Sequence, residues 1–230
     1  MPLRTHSKRN AVLALVLLVS AANIGIAARL YIPGVVGQLL FVLTRVWILT
    51  LPLIWLFWVD QKRLALSLPS RRESLAGTIL GLLMFGIILG VYWIVGQHWI
   101  DPVDVRAKAQ QVGIASPAIY LVGAFYFTFI NSLVEEYIWR WFVYRKCEIL
   151  LPGIRAIGLA ALCFTLHHII ALAAYTGNWL VVVLGSLGVF IAGAVWSWCY
   201  LTYRSLWSCY ISHLLADVAI ALIGWHLLFG

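Results

Sequence analysis

The sequence predicts an all-α, polytopic transmembrane helical bundle of about seven spans, and three observations lead to this prediction. Of the 230 residues, 63% are hydrophobic and only 10% are charged, whereas a soluble domain usually carries about 25% charged residues. The mean hydropathy of +0.97 is more than one soluble core could bury, so the bilayer has to act as the solvent. The apolar residues also occur in runs of about 20, the length of a spanning helix.

Seven apolar runs are long enough to cross a membrane, and each should be helical because lipid-exposed backbone must satisfy its own hydrogen bonds. The predicted spans are residues 11–28, 37–59, 75–96, 118–140, 156–175, 179–201 and 205–229. The first run follows Arg4, Lys8 and Arg9 as in a signal sequence. Since further spans follow it, we interpret it as a retained first helix. Without an internal repeat or a low-complexity linker, 1–230 is expected to form a single transmembrane domain.

The segment 98–117 differs from the spans because it mixes charged with apolar residues and has prolines near both ends, Pro102 and Pro117. Its composition fits a short interfacial helix, a substrate-facing lid or a plain connecting loop. The sequence leaves these three alternatives open.

The net charge of +8 arises from basic residues in short loops between apolar runs. Nucleic acid is therefore excluded as a partner, and anionic membrane lipids are the expected counterpart. With a cytoplasmic N-terminus and an outside C-terminus, eleven loop cations lie on the cytoplasmic side and three on the other, as the positive-inside rule requires. The eleven are Arg4, Lys8, Arg9, Lys62, Arg63, Arg71, Arg72, Arg145, Lys146, Arg155 and Arg204, and the three are Arg29, Arg106 and Lys108.

Ionisable residues within the predicted spans are concentrated in the C-terminal half. Each costs about 2.5–3.5 kcal/mol on insertion scales, so such residues are functional candidates by default. The first three spans contain only Arg45, which either pairs with an acid or lines a cavity. The later spans carry Glu135, Glu136, Arg140, His167, His168, His213 and Asp217.

These candidates fall at similar depths, which is an independent indication that they meet. A helix rises about 1.5 Å per residue. Glu135, His168 and His213 therefore lie about 13–20 Å from the arginines at the cytoplasmic ends of their spans, which are Arg145, Arg155 and Arg204. Three different spans therefore place polar groups in roughly one layer. His167 points about 100° away from its neighbour and is interpreted as a packing residue or a secondary polar contact.

Three short motifs follow one another on separate spans. VEEYIWR at 134–140 matches EExxxR, FTLHH at 164–168 matches FxxxH, and HLLAD at 213–217 matches HxxxN/D. In this order they resemble the CAAX protease and bacteriocin-processing family (CPBP, also called Abi), which includes the eukaryotic prenyl-protein endopeptidases. The resemblance covers about residues 118–217, while the N-terminal spans carry no matching motif.

The resemblance implies a glutamic intramembrane protease that hydrolyses a peptide bond in a membrane-associated protein or peptide, with no cofactor and no metal. Carried over by motif position, Glu135 would activate a water molecule with His168 as its partner. His213, together with residue 217, would stabilise the oxyanion.

The other motif residues receive supporting roles from the same resemblance. Glu136 and Arg140 would form a structural pair or help to hold Glu135. Position 217 is Asp where some family members have Asn, and an ionised carboxylate cannot donate to an oxyanion. Asp217 is therefore either protonated or orients His213 through an imidazole N–H, and the second alternative is favoured.

Two other classes of function remain open at this stage. A zinc metalloprotease would take its ligands from Glu135, Glu136, His168, His213 and Asp217, although HExxH is absent and the ligands would come from three helices. A non-enzymatic transporter would use the residues as a proton relay, but the inverted repeats typical of transporters are missing. An immunity or scaffold protein with degraded catalysis is disfavoured because the motifs are intact.

The substrate is left open among a prenylated C-terminus, a bacteriocin leader and a C-terminal sorting tail of an exported protein. The small size favours a bacterial inner-membrane location within the range of the family.

Overall fold

The computed structural model describes residues 2–61, 68–114 and 116–230, with no side-chain description for 2–6. Throughout these residues the regular structure is helical, and seven helices are long and apolar enough to cross a membrane. The predicted all-α fold of about seven spans is confirmed. The helices are α1 (Pro2–Tyr31), α2 (Gly34–Val59), α3 (Arg71–Trp99), α4 (Pro102–Gln111), α5 (Pro117–Leu150), α6 (Ile154–Tyr175), α7 (Trp179–Tyr203) and α8 (Trp207–Phe229). Of the loop cations counted for orientation, Lys62, Arg63 and the side chain of Arg4 lie outside the described residues.

The outer surface of the bundle is apolar along all seven spanning helices. Large side chains such as Trp58, Ile94 and Trp179 are 78%, 75% and 73% exposed. Soluble monomers rarely show contiguous apolar patches of more than a few hundred Å², so this surface faces lipid. The chain is an integral membrane protein.

The buried apolar core combines side chains from α1, α2, α5, α6, α7 and α8. Its α5 members Val143, Tyr144 and Cys147 are fully buried between the helices. This core fixes the relative positions of the helices that carry the three motifs.

Helix α5 departs from regular α-helical geometry on both sides of the paired glutamates. The α-helical turn Ser132–Glu136 lies between two wider π-helical segments, Tyr126–Asn131 and Tyr137–Tyr144. Such π turns are rare and frequently occur at functional sites. They rotate the side chains away from the angles that a regular helix would give, so positions after 136 do not follow the 100° rule.

Helix α5 also continues ten residues past the predicted end of the fourth span at 140. Charged side chains near the end of this helix form ion pairs with residues that are distant in the sequence. Lys146 Nζ lies 2.6 Å from a carboxylate oxygen of Asp60, and Glu148 accepts two hydrogen bonds from Arg204, at 2.7 and 2.8 Å. These pairs join α5 to the end of α2 and to the end of α7, where Arg204 follows the last residue of the helix.

The segment 98–117 contains a helix, α4, at the opposite end of the bundle. Asp101 caps its N-terminus by accepting from the Val103 amide at 2.8 Å. Lys108 Nζ donates to the carbonyl of Leu30 at 2.6 Å, and Arg106 Nε donates to that of Leu227 at 2.9 Å. Helix α4 therefore ties together the C-terminal ends of α1 and α8, where carbonyl groups lack helical partners.

Helices α3 and α8 pack closely because two glycines face α8 at a spacing of four residues. A Cβ atom added to Gly77 would lie 2.8 Å from the Ser208 carbonyl oxygen. One added to Gly81 would lie 2.6 Å from Leu215 Cδ1. Small residues at this spacing let helix backbones approach in membranes, and the contact lies beside His213 on α8.

Replacing Gly77 by Ala is expected to lower the unfolding free energy by about 1–3 kcal/mol, because the added methyl group overpacks the interface. Thermal unfolding in detergent would measure the change. Gly86→Ala in the same helix is the matched control, since a Cβ there has no neighbour within 4 Å. Equal stability of the two variants would show that the α3–α8 contact is looser than described.

Candidate active site

The regular turn of α5 holds Glu135 through a side chain of the same helix. Asn131 Nδ2 donates to Glu135 Oε1 at 2.9 Å, from the end of the preceding π-helical segment. Both residues are buried. This hydrogen bond occupies one carboxylate oxygen and leaves the other, Oε2, directed toward α8, where it lies 3.7 Å from His213 Nε2.

Glu136 is fully buried and lies between the imidazole of His213 and the guanidinium of Arg140. Its Oε1 is 2.7 Å from His213 Nδ1, and its Oε2 is 3.3 Å from Arg140 Nε. The Arg140 guanidinium lies over the rings of Phe164 and Trp196, at 4.6 and 5.2 Å from their centroids. The ion pair is close but not aligned as a hydrogen bond, which is consistent with the π-helical turn that separates its partners.

The second ring nitrogen of His213, Nε2, lies near two carboxylates. Asp217 Oδ1 lies 3.6 Å and Glu135 Oε2 lies 3.7 Å from this nitrogen. The imidazole stacks on Trp196 with a centroid separation of 4.0 Å, and Ser132 Oγ donates to Asp217 Oδ2 at 3.0 Å. The ring is therefore held by stacking on one face and by carboxylates at its edges.

The carboxylate at hydrogen-bond distance from His213 is that of Glu136, not that of Asp217. The sequence favours Asp217 as the group that orients this imidazole. In the structure the shorter contact, 2.7 Å at Nδ1, belongs to Glu136, and Asp217 lies at the opposite nitrogen. Asp217 lies one turn from His213 on the same helix and is a second carboxylate beside the ring.

Two neighbouring histidines of α6 approach Glu135 from the other side. His168 Nδ1 lies 3.0 Å from the carbonyl oxygen of Phe164. A carbonyl only accepts, so Nδ1 carries the proton and Nε2 is free to accept one. His167 is buried and stacks on Trp139, with centroids 5.0 Å apart and planes 6° apart.

Glu135, His167 and His168 are the described residues that could hold a metal ion together. One donor atom from each lies within 4.8 Å of the others, and two imidazoles with a carboxylate are a donor set that zinc accepts. The donors of a bound zinc ion would be roughly 3.4 Å apart, so the side chains would have to close around it. His167 was not among the ligands considered from the sequence.

A cavity lies against Glu135 and His167, between α1, α2, α5 and α6. The cavity with the open space at its mouth takes up about 340 Å³ and has room for a water molecule. Arg45 of α2 lines this cavity, which is one of the two alternatives that the sequence left open for this residue. The N-terminal spans, which carry no motif, thus form one side of the cavity beside the catalytic candidate.

The six candidates predicted from the motifs lie in one cluster at the junction of α5, α6 and α8, where five of them are buried and His168 is half-buried. They are Glu135, Glu136, Arg140, His168, His213 and Asp217. Three contacting residues were not predicted, namely Asn131, Ser132 and Trp196. The first two precede the glutamates by one turn, and this spacing could have indicated them. Trp196 lies on α7, which carries no motif, and nothing in the sequence marks it.

This arrangement defines an integral membrane protein with acid–base side chains collected at one buried centre. In a comparison with protein-family models, residues 117–219 match the Rce1-like family, described as type II CAAX prenyl endopeptidase Rce1-like. This match is consistent with the CPBP family, so the resemblance predicted from the motifs is confirmed over the matched segment. Comparisons with curated proteins and with solved structures gave no match. The family supports a CAAX-protease-like intramembrane endopeptidase, while α1, α2 and α3 lie outside the matched segment.

Proposed function

We propose that this protein is a glutamic intramembrane endopeptidase in which Glu135 activates the water that attacks the peptide bond. The observation that supports this proposal is the convergence of Glu135, His168 and His213 from three helices, with Glu135 and His213 buried and His168 half-buried. A carboxylate next to an imidazole with a free nitrogen can bind and deprotonate a water molecule.

The hydrolysis proceeds in two proton transfers. As the water oxygen attacks the carbonyl carbon, Glu135 takes a proton from the water, and His168 Nε2 accepts the second O–H as a hydrogen bond. The oxyanion then collapses, the C–N bond breaks, and Glu135 gives its proton to the departing nitrogen. The first products are a carboxylic acid, which keeps the second water proton, and an amine, and the carboxylate of Glu135 is regenerated. The acid then gives its proton to the amine, which leaves a carboxylate and an ammonium group.

His213 stabilises the oxyanion in this scheme, with Glu136 as its positioning residue. With a proton on both nitrogens, the ring donates from Nδ1 to Glu136 and offers the Nε2 proton to the developing charge. Donors fixed before the reaction are the most effective ones. Arg140 offsets the buried charge of Glu136, and Asp217, fixed by Ser132, supports the protonated ring from the other edge.

A prenylated C-terminus is the first substrate to test, because the description of the matched family names CAAX prenyl endopeptidases. A bacteriocin leader and a C-terminal sorting tail are the other candidates. We further propose that 1–230 acts as one transmembrane domain in a bacterial inner membrane, with the N-terminus cytoplasmic and the C-terminus outside.

The test is hydrolysis of these three peptide classes by the purified full chain in detergent, followed by mass spectrometry. At least one peptide is expected to yield two fragments whose masses sum to the peptide plus one water. If the folded protein leaves all three classes intact, the proposal is overturned.

A zinc-dependent version of the same activity is the second candidate, because Glu135, His167 and His168 form a possible donor set. Treatment with 1,10-phenanthroline distinguishes the two versions. We expect the hydrolysis rate to stay within about two-fold of the untreated rate, because a Glu-activated water needs no Lewis acid. Loss of activity that returns on adding zinc would instead assign the reaction to a metal.

A further inference from the structure

Arg45 is a charged side chain near the middle of a spanning helix. It lies eleven residues after Gly34 and fourteen before Val59, which is about 16 and 21 Å from the two ends of the helix. Among the described residues no carboxylate lies within 4.0 Å of its guanidinium, which instead contacts the ring of Phe41 at 5.0 Å. A cation at this depth normally pairs with another group or marks a site.

A second polar group of the same cavity is the imidazole of His167. His167 is 8% exposed, and its Nδ1 has no hydrogen-bond partner in the part of the chain that the structure describes. Buried polar nitrogens are nearly always paired, so an unpaired one needs an explanation. Arg45 and His167 line the same cavity as Glu135, one from α2 and the other from α6.

We propose that Arg45 and His167 form a subsite that binds a carboxylate of the substrate beside the reacting bond. A guanidinium presents two parallel N–H groups that match a carboxylate, and an imidazole N–H adds a third donor. This inference rests on the proposed protease function and extends it to the class of substrate. The carboxylate comes either from the C-terminus of the peptide or from an acidic side chain near the scissile bond.

Lipid headgroups do not explain why Arg45 and His167 line this cavity. Arg45 lies at least about 16 Å along α2 from either end of the helix, whereas headgroups lie at the membrane surface. The carboxylate must therefore arrive on a chain that enters the cavity. Because α2 lies outside the family-matched segment 117–219, the subsite adds a specificity element from the N-terminal part of the protein to the motif-bearing helices.

Binding of matched peptides to the detergent-solubilised full chain tests the subsite without depending on hydrolysis. The probes are a fluorescein-labelled, farnesylated peptide with a free C-terminal carboxylate, the same peptide as a C-terminal amide, and the amide with a Glu as its last residue. All are titrated against a Glu135→Gln background, so that the peptide stays intact. The free acid is expected to bind about 10- to 100-fold more tightly than the plain amide, the range for a hydrogen bond to a charged group.

Two variants assign this preference to the subsite. Arg45→Gln should reduce the acid-to-amide ratio to about two-fold or less, while Arg45→Lys should keep part of it because the charge remains. His167→Phe keeps the ring stacked on Trp139 but loses the N–H, and should lower the ratio as well. Arg204→Gln is the control, since this side chain pairs with Glu148 at the end of the bundle.

The outcomes separate this inference from the proposed function. An acid-to-amide ratio that is near one, or that Arg45→Gln leaves unchanged, overturns the subsite even if the wild-type protein cleaves peptides. A ratio that depends on Arg45 supports the subsite even if no cleavage is seen, in which case only the protease proposal fails. Equal binding of the free acid and the Glu-ended amide assigns the site to carboxylates in general, and weak binding of the latter assigns it to the C-terminus.

Discussion

Replacing Glu135 by Gln is expected to lower the rate of peptide hydrolysis by about 10²- to 10⁴-fold, the contribution of a general base. Gln has nearly the same size, and its amide oxygen can still accept the hydrogen bond that Asn131 now donates to Glu135 Oε1. The protein should therefore keep its fold and lose only the group that takes the proton from water. Initial rates in detergent, with thermal unfolding of the same samples, would measure both effects.

Glu148→Gln provides a matched control in the same helix. Glu148 pairs with Arg204 at the end of the bundle, so its loss should leave the hydrolysis rate within about two-fold, since exposed ion pairs contribute little. His213→Ala should lower the rate by about 10²- to 10³-fold by removing the proposed oxyanion donor. A folded Glu135→Gln protein that hydrolyses peptide at the wild-type rate would remove Glu135 from the mechanism.

The seven spans could be predicted because the bilayer imposes a length and a hydropathy that are visible in the sequence. The end of α5 could not be predicted, because the sequence of its last turn is charged and looks like that of a loop. Its helical conformation depends on Asp60 and Arg204, which pair with Lys146 and Glu148 from far away in the sequence. Tertiary ion pairs of this kind leave no local signal.

The motif residues could be predicted because ionisable groups are costly in a membrane and are therefore conspicuous there. The contacts that these residues make with one another could not be predicted. The expected orienting role of Asp217 relied on regular helical spacing within α8, whereas Glu136 of another helix makes the shorter contact with His213. The π-helical turns of α5 also have no sequence pattern, although they decide how Glu136 and Arg140 face each other.

The place of Arg45 in the cavity depends on how α2 packs against α1, which no motif describes. Gly25 of α1 lies against Thr44, the neighbour of Arg45, so closely that an added Cβ would overlap its hydroxyl. This contact between small side chains brings α2 near the catalytic candidates. Sequence reasoning could mark Arg45 as unusual but could not tell which cavity it lines.

Replacing Glu136 by Leu is expected to lower the unfolding free energy by about 3–5 kcal/mol, the cost of leaving a buried charge without its partner. Arg140 is 1% exposed, so water cannot solvate its guanidinium once the carboxylate is gone. The contacts with Phe164 and Trp196 remain, but a cation over an aromatic ring is worth about 2 kcal/mol or somewhat more when desolvated. Thermal unfolding in detergent would report the loss.

The double variant Glu136→Leu with Arg140→Met separates stability from catalysis. Replacing both members of a buried ion pair by apolar residues is often neutral or stabilising, so the double variant should recover most of the stability lost by the single one. Its hydrolysis rate should stay low, because His213 has lost the carboxylate that lies 2.7 Å from Nδ1. Recovery of both stability and rate would mean that Glu136 only balances the charge of Arg140. Recovery of stability alone would make it the residue that positions His213.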